Sequence, residues 1–215
     1  MNVQELNTAI SMAPTVAFAV TAVLAVRSDK DLDLLAAVVL GFITAVGGGT
    51  IRDVILDAPV FWGQDLSYVW VAVGASVATF YGRKLFSERY VFNLMLYVDG
   101  FGAAMFGIQA VTKVWDLDFG VPAAPVILGL VTAIGGGLIR DVLAGRTTLL
   151  MRTELYATPV LLGCIVFAAI LKYFPDQRPV GAIACILGTF ALRAAAIHWN
   201  LSMPAFARLT RDDPH

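Results

Sequence analysis

The apolar residues of this chain are gathered into long blocks separated by short polar breaks. Crossing the hydrocarbon core of a bilayer takes about 20 such residues at 1.5 Å of rise each, and on that measure the blocks predict seven spans. The first runs from about Thr8 to Val26, ahead of the polar loop Arg27-Ser28-Asp29-Lys30-Asp31. The second covers about Leu34 to Leu56, and the third, shorter, about Leu66 to Tyr81. The fourth runs from about Asn93 to Val114, the fifth from about Ala123 to Ala144, the sixth from about Leu155 to Tyr173 and the seventh from about Val180 to Trp199. A polar tail follows from Asn200 to His215.

One stretch occurs twice. Thr44-Ala45-Val46-Gly47-Gly48-Gly49-Thr50-Ile51-Arg52-Asp53-Val54 returns as Thr132-Ala133-Ile134-Gly135-Gly136-Gly137-Leu138-Ile139-Arg140-Asp141-Val142, 88 positions later. That offset maps span one onto four, two onto five and three onto six. The unit is three helices, an odd number, so its second copy enters the membrane from the opposite side. The expectation is an all-α integral membrane protein, one transmembrane domain over 1–215. It has repeat one at about 8–86, repeat two at about 93–174, an appended seventh helix at about 180–199 and the tail at 200–215. Inverted repeats with interrupted helices in matching positions point to a transport pathway.

Composition agrees. Of 215 residues 59% are hydrophobic and 14% charged, against about 45–50% and 25% for soluble domains, and mean hydropathy is +0.78. A net charge of −1 gives no basic field for nucleic acid. Cys164 and Cys185 fall inside apolar segments and read as small core residues. His198 and His215 stand near the end of the chain, without metal-ligand spacing. Met1 to Thr8 holds Glu5 and no Lys or Arg, so the first block lacks the positive start of a signal peptide and is kept as a membrane helix.

Basic residues set the orientation, because cytoplasmic loops carry the excess of Lys and Arg. One side, with the N-terminus, has Lys113, Lys172 and Arg178. The other has Arg27, Lys30, Arg83, Lys84, Arg89, Arg146, Arg152, Arg208 and Arg211. The N-terminus is expected outside and the C-terminus in the cytoplasm, in the cell's inner (plasma) membrane.

Glycine in a helix interior costs about 1 kcal/mol against alanine, so Gly47, Gly48, Gly49 and Gly135, Gly136, Gly137 predict helices two and five that kink or unwind in mid-span. Open backbone at membrane depth is tolerated only inside protein or beside water, and its carbonyls can replace water around a cation. Close helix packing through small residues is the alternative use of the same glycines. Arg52, Asp53, Arg140 and Asp141 are the sharper signal, since a charge at mid-bilayer costs about 3 kcal/mol on insertion scales. They are placed near the midplane. Neighbours on a helix point about 100° apart, so pairing across helices, Arg52 with Asp141 and Arg140 with Asp53, is expected over pairing within each motif. A static ion-pair network locking the two units together is the alternative. Asp99 and Arg193 lie at a similar inner depth, Asp99 as partner of Arg140 or Arg193, with Arg193 free to snorkel to the interface instead. Thr44 and Thr132 flank the triplets and are supporting candidates. Trp62, Tyr68, Trp115, Tyr173 and Trp199 fit an interfacial belt, and Gly100/Ala104, Ala103/Gly107 and Ala184/Gly188 fit helix contacts.

The doubled Gly-Gly-Gly-x-x-Arg-Asp in a seven-span chain resembles the prokaryotic trimeric intracellular cation (TRIC) channel family, which is grouped with a domain described as a glycine transporter. The similarity covers about Thr8 to Trp199. It implies a homotrimer with a cation path in each protomer, passing K⁺ and Na⁺, lined where helices two and five kink at the six glycines. Arg52, Asp53, Arg140 and Asp141 would stand near the constriction. Membrane lipids and the chain's own copies are the implied partners, monovalent cations the implied ligands, with no cofactor. A small amino-acid transporter is the second reading. An enzyme is not expected, since no Ser–His pair, two-His metal motif or P-loop lysine is present.

Overall fold

The computed structural model describes residues 3–26, 33–83, 88–151 and 155–201, with side chains from residue 10 in the first segment and from residue 90 in the third. Most of the basic residues used for orientation (Arg27, Lys30, Lys84, Arg152, Arg208 and Arg211, and the side chain of Arg89) lie outside the described residues, as does the tail from Ser202 on. Among the described residues there are eight α-helices and no strand: α1 Val3–Ala25, α2 Leu34–Ile55, α3 Phe61–Gln64, α4 Ser67–Gly82, α5 Glu88–Asp116, α6 Ala123–Leu143, α7 Ala157–Tyr173 and α8 Arg178–His198. Short 3₁₀ turns occupy Leu149–Met151 and Pro175–Gln177.

Seven full spans are therefore not what is found. Four stretches are long and apolar enough to cross a membrane: Leu34–Ile55, Tyr90–Asp116, Ala123–Leu143 and Pro175–His198. Ile10–Ala25 and Ala157–Tyr173 are apolar but shorter. The unforeseen helix, α3, forms where the loop after α2 folds back and the Phe61 amide reaches Asp53.

Local chemistry sets the helix ends. Asp33 caps α2, its side chain accepting the Ala36 amide at 2.6 Å. This is the N-cap role of a short carboxylate. Before α4, the Ser67 amide donates to Asp65 Oδ1 at 2.9 Å, and this bond, joined by the Ser67 hydroxyl, holds the Asp65 carboxyl below its ordinary value. The ends of α2 and α6 are built alike. Asp57 (φ 51°) and Gly145 (φ 66°) take the left-handed conformation just past each helix. The Asp57 and Gly145 amides return to the carbonyls of Val54 and Val142, and those of Ala58 and Arg146 to Asp53 and Asp141. These are the paired bonds of a Schellman stop, which satisfy carbonyls a helix end would otherwise leave free.

Packing groups α1 with α2 and α4, and α5 with α6 and α7, while α8 lies on α5 and α7. The groups join along α1–α5 and α2–α6. At the first seam Phe18 stacks on Phe106, ring centroids 5.5 Å apart. Large apolar side chains such as Leu35, Val54, Ile127, Leu187 and Trp70 face outward. An apolar exterior of this extent suits hydrocarbon rather than water.

Helices two and five do not unwind at their glycines. Both α2 and α6 stay α-helical through Gly47–Gly49 and Gly135–Gly137. The reason is the neighbouring helix. A Cβ on Gly48 would strike the carbonyl oxygen of Thr132, and one on Gly136 that of Thr44. The missing side chains are filled by the partner's backbone, so the two helices approach through their glycines, as small residues permit.

Candidate functional site: two ion-pair clusters at the ends of α2 and α6

The Schellman stops fix where the charged pairs sit. Arg52 and Arg140 lie in the last turn of their helices, near the C-terminal carbonyls. The negative end of a helix favours a cation there. All four motif charges are buried nevertheless.

Pairing is within each motif, which corrects the cross-helix expectation. Arg52 Nε donates to Asp53 Oδ1 at 2.8 Å, and Arg140 Nε to Asp141 Oδ1 at 2.9 Å. Cα directions about 100° apart do not forbid this, because the arginine stem is long enough to curl round the turn to its neighbour. The second oxygen of each carboxylate accepts a backbone amide eight residues on, Phe61 to Asp53 Oδ2 and Leu149 to Asp141 Oδ2, both at 2.9 Å. Each Asp thus ties the helix end to its returning loop.

Beyond that common core the clusters differ. At the end of α2, Lys113 of α5 places Nζ 2.8 Å from Asp53 Oδ1, the Arg52 guanidinium lies 5.9 Å from the Phe61 ring centre, and the Phe61 ring edge covers Gly49. At the end of α6, Arg140 Nη1 reaches Asp99 Oδ1 of α5 at 2.5 Å and the Thr21 hydroxyl of α1 at 2.9 Å. A Cβ on Gly137 would stand 2.9 Å from Tyr156 Oη, 3.4 Å from Asp99 Oδ1 and 3.5 Å from Arg140 Nη2. One triplet ends against an aromatic ring and the other against ionised and hydroxyl groups.

Asp99 pairs with Arg140 and not with Arg193. Arg193 is 1% exposed, donates from Nη1 to the Leu155 carbonyl at 2.8 Å and holds its guanidinium 4.9 Å from the Tyr156 ring centre, so it does not snorkel. Thr44 and Thr132 turn their hydroxyls to the carbonyls four residues back, Leu40 at 2.7 Å and Leu128 at 2.6 Å, and offer their own carbonyls to the opposite glycines. Lys113, Phe61, Thr21 and Tyr156 were not among the expected site residues. The 88-residue offset pairs Tyr156 with Tyr68 and Phe61 with Leu149, but it sets Lys113 against Ala25 and Thr21 against Gln109 and so singles out neither of these two. Trp62, expected only in a belt, donates from Nε1 to the Thr50 hydroxyl at 3.0 Å.

Known proteins share this architecture. The family model described as Glycine transporter matches twice, over residues 8–84 and 96–172. An inner membrane protein of Escherichia coli K12, UPF0126 protein YadS, is 38% identical over 92% of this chain and 95% of its own length. A UPF0126 membrane protein of Vibrio cholerae is 36% identical over 92% of this chain and 82% of its own. Among solved structures, a TRIC trimeric intracellular cation channel orthologue from Rhodobacter sphaeroides superposes with a TM-score of 0.83 at 34% identity, covering 91% of this chain and 99% of that one. A further structure, solved to explain conductance through TRIC cation channels, gives 0.81 at 30% identity over 96% and 98%. With its apolar spans and these relatives, the chain is a multi-pass membrane protein. It belongs to the prokaryotic trimeric intracellular cation channel family, within the group that the glycine-transporter model describes.

Proposed function

We propose that this protein is a monovalent cation channel, conducting K⁺ and also Na⁺ through a path within each protomer of a homotrimer. The observation that carries the reading is the 0.83 superposition, at 34% identity, on a solved cation channel orthologue. The proposed path follows the α2–α6 seam past Gly47, Gly48, Gly49, Gly135, Gly136 and Gly137, and the charges Arg52, Asp53, Arg140, Asp141 and Asp99 flank it. Thr44, Thr132 and Arg193 support it. The structure, with both helices unbroken and both clusters closed, corresponds to a shut path in this reading.

Opening is a bend of α2 and α6 at the triplets, in an inverted pair of three-helix units. Two features favour it. Hydroxyls bonded to the carbonyl four residues back, as at Thr44 and Thr132, weaken and bend helices. The polar groups around Gly137 give water the two to four partners it needs in a buried site. The protein is placed in the inner membrane with its N-terminus outside, lipid around it and no nucleic acid or cofactor involved.

Reversal potentials of purified protein in a planar bilayer under asymmetric KCl test the reading. Unitary currents reversing near the K⁺ equilibrium potential are expected, and reversal near the Cl⁻ potential would refute cation conduction. A small amino-acid transporter is the second reading, favoured by the family description that matches both halves. Saturable glycine uptake into proteoliposomes without current steps would establish it instead.

A further inference from the structure

The two clusters share a core and differ in what α5 adds to them. Positions 88 apart carry the same arginine, the same aspartate and the same loop amide, with nearly the same distances. Helix α5 then contributes Lys113 to the α2 cluster and Asp99 to the α6 cluster. At the corresponding places in α1 stand Ala25 and Ser11, neither of them charged. The core triad at the end of α2, Arg52, Asp53 and Lys113, carries net +1. That at the end of α6, Arg140, Asp141 and Asp99, carries net −1. Arg193, on α8 and outside the repeated units, lies over Tyr156 and brings the α6 cluster to net zero, against +1 at the end of α2.

We infer that Asp99 and Lys113 make the path electrically polar, so that cations pass more readily from the Asp99 end towards the Lys113 end than in reverse. This rests on the channel reading. The two residues stand 14 positions apart on one helix, about 21 Å along its axis. Each therefore stands beside its own cluster, Lys113 2.8 Å from Asp53 and Asp99 2.5 Å from Arg140, and acts most strongly on its own end of the path. The positive cluster at the α2 end lowers the local cation concentration relative to the neutral cluster at the α6 end, as focused fields do in charged clefts. A difference of about one kT between the ends is a factor of about three in local concentration. In symmetric KCl that becomes an unequal current at equal and opposite voltages. The repeated core alone, being symmetric, gives no such inequality.

The test is the ratio of the larger to the smaller open-channel current at ±100 mV (on the order of the 100 mV scale used for membrane fields) in symmetric KCl. This ratio does not depend on which way a channel inserts. A wild-type ratio of about two to three is expected. Lys113→Gln and Asp99→Ser should each lower it, and Lys113→Arg should keep it. Lys113 is partly exposed, so its variants test the idea even where the buried Asp99 change prevents assembly. Arg178→Gln removes an exposed pair with Asp116 and should leave the ratio alone. A wild-type ratio of one, or a ratio unmoved in Lys113→Gln, overturns the inference while leaving the channel standing. A wild type that passes no cation current at either polarity overturns both.

Discussion

At Gly48 and Gly136 the absence of a methyl group decides how two helices meet. Each position lies under a backbone carbonyl of the other helix, Thr132 and Thr44 respectively, and a backbone oxygen has no rotamer by which to move aside. Gly136→Ala should therefore push α2 and α6 apart and cost about 1–3 kcal/mol, the range for overpacking a close contact. Gly74, with nothing near its Cβ direction, is the control, and Gly74→Ala should be neutral or slightly stabilising, since alanine is the better helix former. Thermal unfolding in detergent reads both, and equal behaviour of the two variants would show that the close approach at Gly136 contributes nothing to stability.

At the scale of elements, α2 and α6 end by one device with two different residues. Past α2 the left-handed position is Asp57, and past α6 it is Gly145. A side chain in that conformation costs roughly 1 kcal/mol or more, and glycine avoids it. Asp57→Gly should raise the melting temperature and Gly145→Ala should lower it, each by the equivalent of about 1 kcal/mol. Shifts of the same sign would contradict the mirrored stops. These ends also explain what the sequence could and could not reveal. The triplets and the Arg-Asp pairs were legible because they repeat letter for letter. So were the ends of α2 and α6, which the apolar blocks place within one residue of Ile55 and Leu143; the device that stops them was not, because the α2 stop is written with Asp57, and only its alignment with Gly145 exposes it. The pairing of Arg52 and Arg140 with their own neighbours was not legible either, because the roughly 100° between adjacent side chains argues against it until the curl of the arginine stem is seen. Lys113 was counted as a marker of the outer face, since nothing in its own surroundings points to Asp53. Tyr156 and Thr21 reach the α6 cluster through tertiary packing, which periodicity does not encode.

At the scale of the whole molecule the question is whether the two clusters face opposite sides of the membrane. The bonds that recur at the 88-residue offset relate the end of α2 to the end of α6, and a three-helix unit repeated after an odd number of crossings points those ends in opposite directions. Gln64, beside the α2 cluster, and Thr147, beside the α6 cluster, are both exposed, and the native Cys164 and Cys185 are buried, which keeps the thiol background low. A membrane-impermeant maleimide should label Gln64→Cys in intact spheroplasts and spare Thr147→Cys, and inverted vesicles should give the reverse. Labelling of both from one side would remove the inverted arrangement. It would also remove the physical basis for an electrically polar path, because clusters on one face share one potential and cannot oppose each other across the bilayer. The Lys113 charge would then add to the Asp99 charge at a single entrance, and the current would depend on their sum instead of their separation.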